Sequence, residues 1–293
     1  VRDVFSYPTI ASLASVAKIQ ENTLGFESTQ NATTGEVSLT PIQQLFFSNK
    51  LIEQNHYNQA LLLECFEGLD EECLERGLQS LLQTHSSLRL RFEQEETGEW
   101  KQRYEVYETL AEYHKGICRV EYLEDLPQEA ANARRLEIIE EVQQSLDITK
   151  GPLFQGILFK GDSKGDSLFL VAHHLVVDSV SWRILIEDLE SAYRQAVEKK
   201  EEIILEPEPR SYGWWSQELL TLAQQETWKQ EIEYWEKVLE SPQSQLPREL
   251  SDGGSNTVEN MGEITVELSE EETRQLLQEV PVAYKTQINE TLL

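Results

Sequence analysis

Positive charge is scarce in this sequence of 293 residues. Lysine and arginine total 25 against 53 aspartates and glutamates, which gives a formal net charge of −28. Such an excess of negative charge argues strongly against binding a phosphate backbone, so nucleic acid is not an expected partner. The plainer interpretation of this acidity is a well-solvated surface that favours solubility.

Cysteine is also scarce, and long apolar runs are missing. The three cysteines, Cys65, Cys73 and Cys118, are an odd number without CxxC spacing, so neither a disulfide framework nor a zinc site is expected. No apolar run reaches the roughly 20 residues that cross a bilayer, and the N-terminus lacks a signal-peptide pattern. The expectation is a cytoplasmic protein with no membrane partner.

Several catalytic signatures are absent as well. The sequence contains no glycine-rich phosphate loop of the Walker or dinucleotide type, so ATP binding is not expected. It also contains no GxSxG elbow, which leaves a serine nucleophile as a minor alternative.

What the chain does contain is an alternation of strand-like and helix-like periods between about residues 38 and 200. This alternation predicts an α/β (α+β) fold in which a mixed sheet is flanked by helices, followed by a largely helical segment. The predicted strands are 57–66, 88–92, 100–107, 117–123, 153–159, 168–172 and 262–268. Four tryptophans, at positions 214, 215, 228 and 235, recur near helical spacing and predict core packing.

Two adjacent histidines, His173 and His174, lie where a predicted strand gives way to a helix. Asp178 or Ser179 is the predicted N-cap of that helix. The positive end of the helix macrodipole and partial burial both disfavour an imidazolium, so a neutral ring that can accept a proton is expected here.

A metal site is one alternative for these histidines, with Asp178 as a third ligand. Adjacent side chains on a strand point to opposite faces, however, so His173 and His174 would not readily share one ion. No metal is therefore expected. Two buried histidines without a function, or a nucleophilic Ser179 or Ser181 beside His174, stay open at this point.

The string around the histidines resembles a known family. His173, His174, Asp178, Ser181 and Trp182 fit the HHxxxD signature of the condensation-domain superfamily of nonribosomal peptide synthetases, which has a chloramphenicol acetyltransferase-like fold. The continuation DSVSWRIL resembles the epimerization branch, and Ser179 stands where condensation domains usually carry glycine. Four further segments, LTPIQQLFF, HSSLRLRF, SYGWWSQEL and YWEKVL, are similar to other stretches of the superfamily.

The resemblance also implies a domain organisation. Residues 1–20 are similar to the C-terminal helix of a peptidyl carrier domain, although a docking N-terminal helix of the same domain is the alternative. Residues 21–37 are interpreted as a linker, 38–205 as the N-terminal lobe, and 206–293 as the helical crossover and the start of the C-terminal lobe. Residues 241–259 within that crossover are predicted to form a loop.

For function, the resemblance implies epimerization, from L to D, of the α-carbon of a carrier-bound aminoacyl or peptidyl thioester. His174 would be the catalytic residue facing the reaction channel, supported by His173, Asp178, Ser181, Trp182 and Arg183. Arg183 is also considered as an ionic partner of Asp178. In this branch a glutamate of an EGHGR motif on the second lobe completes an acid/base pair, and these residues contain no EGHGR, so alone they are expected to be inactive.

The implied partners are a peptidyl carrier domain with its thioester, the C-terminal lobe and neighbouring synthetase modules. No cofactor is expected to bind directly, since the carrier domain supplies the 4'-phosphopantetheine arm. Peptide-bond-forming condensation and a non-catalytic carrier-docking module are the alternative functions.

Overall fold

The computed structural model describes residues 35–107, 116–162, 165–240 and 257–292. The predicted carrier-domain helix at residues 1–20 and nearly all of the predicted crossover loop lie outside the described residues. The predicted linker ends sooner than expected, because its last three residues, Gly35–Val37, form a strand.

The chain divides into two compact units, of which the first ends at Ile232 and the second begins at Glu233. The first unit contains seven described strands: β1 (Gly35–Val37), β2 (Asn58–Cys65), β3 (Leu90–Gln94), β4 (Trp100–Tyr104), β5 (Cys118–Tyr122), β6 (Phe154–Asp162) and β7 (Gly165–His173). Its helices are α1 (Pro41–Ser48), α2 (Glu71–Thr84), α3 (Gln128–Ser145), α4 (Ser179–Val197), α5 (Tyr212–Ala223) and α6 (Glu226–Lys229). A helix α7 (Ile232–Glu240) begins at the boundary between the units.

The strands form two sheets. The larger sheet has the order β2, β7, β6, β5, in which β5 and β6 run parallel and the other pairs run antiparallel. The smaller sheet, β1, β4, β3, is entirely antiparallel. The prediction of a mixed sheet flanked by helices is confirmed.

Helices cover both faces of the larger sheet. On one face, apolar side chains of α2 and α4, such as Leu78 and Leu185, share a core with Leu170 of β7. On the other face, Ile138 of α3 packs in a separate core with Phe169 of β7. Because burial of apolar area on both faces holds β7 in the centre of this layered structure, the end of β7 is a rigid place for a functional group.

The second unit is described for residues 233–240 and 257–292. It contains the helices α8 (Glu270–Arg274), α9 (Val280–Tyr284) and α10 (Ile288–Leu292), with a π-helical turn at Gln275–Glu279. A capping box begins α8, since the side chains of Ser269 and Glu272 each accept a hydrogen bond from the other residue's backbone N–H.

Two predictions about these C-terminal segments are wrong. Residues 262–268 alternate like a strand but have no strand conformation, and Ile264 is 91% exposed, because none of the described strands pairs with them. The tryptophans at 215, 228 and 235 are about half exposed rather than in the core. A large aromatic is buried only where another element covers its face, and no residue of α7 is buried.

Candidate active site at the end of strand β7

The backbone places both histidines at the edge between β7 and α4. His173 is the last residue of β7 and lies opposite Asn58 in the register with β2. His174 follows the strand, and its backbone N–H donates to the Tyr57 carbonyl over 2.8 Å, which continues the pairing by one bond. The two side chains therefore leave a fixed backbone in different directions.

Asp178 is the N-cap of α4 and was one of the two residues predicted for this role. Its Oδ1 atom accepts hydrogen bonds from the backbone N–H of Val180 at 3.0 Å and of Ser181 at 2.7 Å. The Ser181 hydroxyl donates to the same oxygen over 2.7 Å, and this pair forms a capping box. These hydrogen bonds lower the pKa of the Asp178 carboxyl because they stabilise its charged form, and the bonds from Ser181 have the largest effect.

Arg183 does not pair with Asp178. Its Nε atom donates to Glu187 over 3.0 Å, one helical turn further along α4, and its side chain is 81% exposed. Residues four apart on a helix lie on the same face, so the carboxylate within reach of Arg183 is the one four residues later. Arg183 therefore lies outside the hydrogen-bonded group that surrounds the histidines.

His173 is fully buried, and both of its ring nitrogens are engaged. Nε2–H donates to the Gln54 carbonyl over 2.8 Å, and Nδ1 accepts from the backbone N–H of Leu175 over 3.2 Å. Phe46 packs edge-on against the ring, with centroids 5.8 Å apart. Burial lowers the pKa of His173 to about 4, so its ring is neutral at pH 7.

His174 is partly exposed and is held on two sides. Its Nδ1 atom lies 2.8 Å from the Val177 carbonyl oxygen, which can only accept, so Nδ1 carries the proton of the neutral ring. Tyr57 stacks on the ring, with centroids 5.3 Å apart and planes inclined by 15°. The Nε2 atom consequently keeps the lone pair, and a ring in this tautomer can accept a proton there.

A residue that the sequence analysis missed, Gln59, contacts this Nε2 atom. The side-chain nitrogen of Gln59 lies 3.1 Å from Nε2 of His174. The Gln59 side-chain oxygen accepts from the indole N–H of Trp182 over 3.1 Å, and Trp182 is buried. The strand NQALLLEC also carries Asn58 and Glu64, so its sequence does not single out Gln59, and only the register between β2 and β7 shows where that amide lies.

A groove of about 420 Å³ lies alongside the start of α4, and Val176 and Ser181 contribute to its lining. Glu208 and His85 line another part of it. Burial raises the pKa of the Glu208 carboxyl, although hydrogen bonds from Ser86 oppose the effect. This groove borders the histidine motif without including either ring among its lining residues.

Two negative findings apply to the described part of the chain. Within residues 35–107, 116–162, 165–240 and 257–292, no group of three or more metal-ligating side chains is close enough to hold an ion. None of the helices described in these ranges is both long and apolar enough to cross a bilayer.

Comparison with known proteins adds to this geometry. A family model described as "Condensation domain" matches residues 33–293. Over its whole length the chain is 37% identical to part of a linear gramicidin synthase from Brevibacillus parabrevis, and 33% identical to tyrocidine synthase 2 from the same organism. The chain spans only 6% and 8% of the lengths of these relatives.

Solved structures show the same likeness. The crystal structure of the epimerization domain from the third module of tyrocidine synthetase B is 32% identical with a TM-score of 0.74, covering 88% of this chain and 55% of that one. The first condensation domain of the calcium-dependent antibiotic synthetase shares the fold, with a TM-score of 0.59 and 18% identity. That comparison covers 71% of this chain and 50% of the other. This is the chloramphenicol acetyltransferase-like fold, and the chain belongs to the condensation-domain family.

Proposed function

We propose that this chain is the first lobe of an epimerization domain within a nonribosomal peptide synthetase. The reaction is inversion of the α-carbon of an aminoacyl or peptidyl thioester bound to a carrier domain. One observation carries the proposal: the Val177 carbonyl holds Nδ1–H of His174, so Nε2 is the atom of the neutral, partly exposed ring that can accept a proton. Ser179 and the 32% identity to an epimerization domain support this branch over condensation.

The chemistry follows from the position of the reacting proton. A thioester carbonyl acidifies the neighbouring C–H, and Nε2 of His174 takes that proton from one face of the α-carbon. Inversion requires a proton to return from the opposite face, so a second acid/base group is needed there. Within the family that group is a glutamate of an EGHGR motif, and residues 1–293 contain no EGHGR.

The other motif residues act by holding His174 in place. His173 anchors the end of β7 to the Gln54 carbonyl, and Asp178 with Ser181 caps α4. Trp182 is buried and bonds to Gln59. Each of these contacts fixes the position or the hydrogen bonding of a neighbour, and none requires the residue to exchange a proton with substrate.

The proposed partners follow from the substrate. The carrier domain presents the thioester on its 4'-phosphopantetheine arm, which is part of the substrate rather than a group resident in this lobe. The C-terminal lobe supplies the opposite wall of the site, and neighbouring modules load and consume the thioester. Residues 1–20 are proposed to be the last helix of a carrier domain.

The test is made in the synthetase polypeptide that carries this chain, with an L-aminoacyl thioester loaded on the carrier. Chiral analysis of the released amino acid and α-deuterium exchange from heavy water report the reaction. His174→Ala should lower exchange by roughly a hundredfold to ten-thousandfold, because the α-proton loses its acceptor. His56→Ala, at an exposed histidine, is the matched control and should leave exchange unchanged.

The alternatives give different outcomes in the same polypeptide. A condensation domain would form a peptide bond in a His174-dependent manner without α-deuterium exchange. A docking module would bind the carrier with neither activity. Unchanged exchange in the His174→Ala protein would remove His174 from the mechanism.

A further inference from the structure

We propose that Gln59 is a positioning residue for His174: its amide keeps Nε2 free of a proton in the resting site and must leave Nε2 when substrate arrives. The assignment of hydrogen-bond direction rests on geometry alone, whereas the effect on turnover rests on the proposed function. Gln59 lies 115 residues from His174 in the sequence, and pairing of β2 with β7 brings the two together.

The direction of the hydrogen-bond chain is determined from both ends. An indole N–H can only donate, so the atom of Gln59 that faces Trp182 is the oxygen. The amide nitrogen therefore faces His174 and donates to Nε2 over 3.1 Å. At the other end a carbonyl can only accept, so Nδ1–H of His174 donates to Val177. The two ends independently assign the same tautomer.

A proton on Nε2 conflicts with this arrangement. It would place the new N–H of His174 against the N–H groups of Gln59. Rotation of the amide by half a turn would present its oxygen to His174, but would then set its nitrogen against the indole N–H of Trp182. Since Trp182 is buried and cannot accept, it holds the amide in its donating orientation.

The hydrogen bond from the Gln59 amide also blocks access to Nε2 of His174. A neutral imidazole has one lone pair in the ring plane, and Gln59 occupies it. A C–H group approaching along that direction can reach Nε2 only after the Gln59 amide moves aside. Gln59 thus keeps Nε2 of His174 unprotonated in the resting site, and its amide moves away from Nε2 when substrate binds.

Substitutions at Gln59 test this in the chain labelled with ¹⁵N-histidine. The ring nitrogens are observed by NMR at one pH near 7.5, and the His174 signals are assigned by their loss in His174→Ala. The unsubstituted protein should show Nδ1 protonated and Nε2 unprotonated. In Gln59→Glu, one carboxylate oxygen still accepts from Trp182 and the other accepts from His174, so Nε2 should become largely protonated.

Matched variants separate this effect from loss of packing. Gln59→Met removes the amide without adding a charge, so the population with Nε2 protonated should rise above that of the unsubstituted protein but stay well below that of Gln59→Glu. Gln217→Glu adds the same charge at an exposed position and should leave the signals unchanged. The titratable groups around the ring, His173, Asp178 and Tyr57, are the same in all these variants.

Trp182→Phe provides a second route that leaves Gln59 intact. Without the indole N–H the amide is free to rotate, so the population with Nε2 protonated should rise, and combining Trp182→Phe with Gln59→Met should give the same population as Gln59→Met alone. An Nε2 atom that stays unprotonated in both Gln59→Glu and Trp182→Phe would overturn the proposal.

α-Deuterium exchange in the synthetase polypeptide distinguishes the two proposals. Gln59→Glu should slow exchange by roughly tenfold to a hundredfold, since a protonated Nε2 cannot accept the α-proton. NMR results as expected, with no exchange in any protein, would refute the epimerase function and leave the tautomer assignment standing. Exchange at the unsubstituted rate in Gln59→Glu would refute the positioning role and leave the epimerase function standing.

Discussion

Ser86 donates two hydrogen bonds to the partly buried carboxylate of Glu208, which lies 122 residues away in the sequence. The Ser86 backbone N–H donates to Oε1 over 3.0 Å, and its hydroxyl donates to Oε2 over 2.6 Å. His85, next to Ser86, places its Nε2 atom 2.8 Å from Asp188 on α4. These contacts tie the segment that follows α4 to the turn that precedes β3.

Ser86→Ala should lower the free energy of unfolding by about 1–3 kcal/mol, because the partly buried Glu208 carboxylate loses a charge-assisted hydrogen bond from the Ser86 hydroxyl. Urea denaturation at pH 7 measures the change. Ser87→Ala, at the neighbouring and partly exposed residue, is the matched control and should cost much less. Equal losses in the two variants would contradict the role assigned to the Ser86 hydroxyl.

His173 should make stability depend on pH between about 6.5 and 4. Its pKa in the folded protein is about 4 because the ring is buried, whereas the ordinary value is 6.5. The unfolded chain therefore binds the proton first, so the stability from a neutral His173 is fully present above pH 6.5 and is lost as the pH falls towards 4. The total is roughly 3 kcal/mol, at up to about 1.4 kcal/mol per pH unit.

This dependence is measured by urea denaturation at pH 7.5 and 5.5. His173→Gln keeps a donor for the Gln54 carbonyl without a titrating ring, and should flatten the slope over that window. His56→Gln is the control at an exposed histidine and should keep the slope. A slope that persists in His173→Gln would assign the pH dependence to other groups.

Asp178→Ala should lower stability by about 0.5–2 kcal/mol, since the first turn of α4 loses its N-cap. Asp178→Asn keeps an oxygen acceptor and should recover most of the loss. The pKa of Asp178 is lowered chiefly by its bonds from Ser181. Its stabilising charge is therefore present above the ordinary aspartate pKa and is lost as the pH falls through the lowered folded value.

Thermal melts and α-deuterium exchange of both Asp178 variants test whether Asp178 supports the fold or takes part in proton transfer. We expect stability and exchange to fall together in Asp178→Ala. Full stability combined with a selective loss of exchange would instead indicate that Asp178 handles protons.

Gly156 lets α2 approach the central sheet. A Cβ atom on Gly156 would lie 2.9 Å from Cδ1 of Leu78 and 3.3 Å from Cδ2 of Leu170, and both leucines are fully buried. Gly156→Ala should therefore cost about 1–3 kcal/mol through overpacking. Gly68→Ala is the control, because its Cβ would meet only Asp166 at an ordinary 3.6 Å.

A double variant tests the cause of that loss. Combining Gly156→Ala with Leu78→Ala should cost less in urea denaturation than the sum of the single changes, since the shortened side chain leaves space for the new methyl group. Strict additivity would show that the two positions do not compete for the same volume.

The sequence alone was sufficient for features that depend on neighbouring residues. A run of apolar residues predicted a strand at 168–172, which lies within β7, and short polar side chains at the helix start limited the N-cap of α4 to Asp178 or Ser179. The alternation of these elements was also enough to predict a mixed sheet flanked by helices, because the hydrophobic period of a strand or a helix can be recognised within a few residues.

Burial and long-range partners were decided only by the tertiary structure. The exposed tryptophans of α5, α6 and α7 and the unpaired residues 262–268 have patterns typical of a core, yet a pattern does not supply the element that would cover it. Arg183 likewise contacts Glu187 rather than Asp178, because the helical repeat sets which carboxylate is near.

The clearest case is the contact between Gln59 and His174. Nothing in the local sequence of β2 marks Gln59 as part of the site, since its role arises from strand register, which places it opposite Ala172 and beside the indole of Trp182. A shift of one residue in that register would turn Gln59 to the other face of the sheet. The sequence determined which residue could accept a proton, and the pairing of β2 with β7 decided that the Gln59 amide faces the Nε2 atom of that residue.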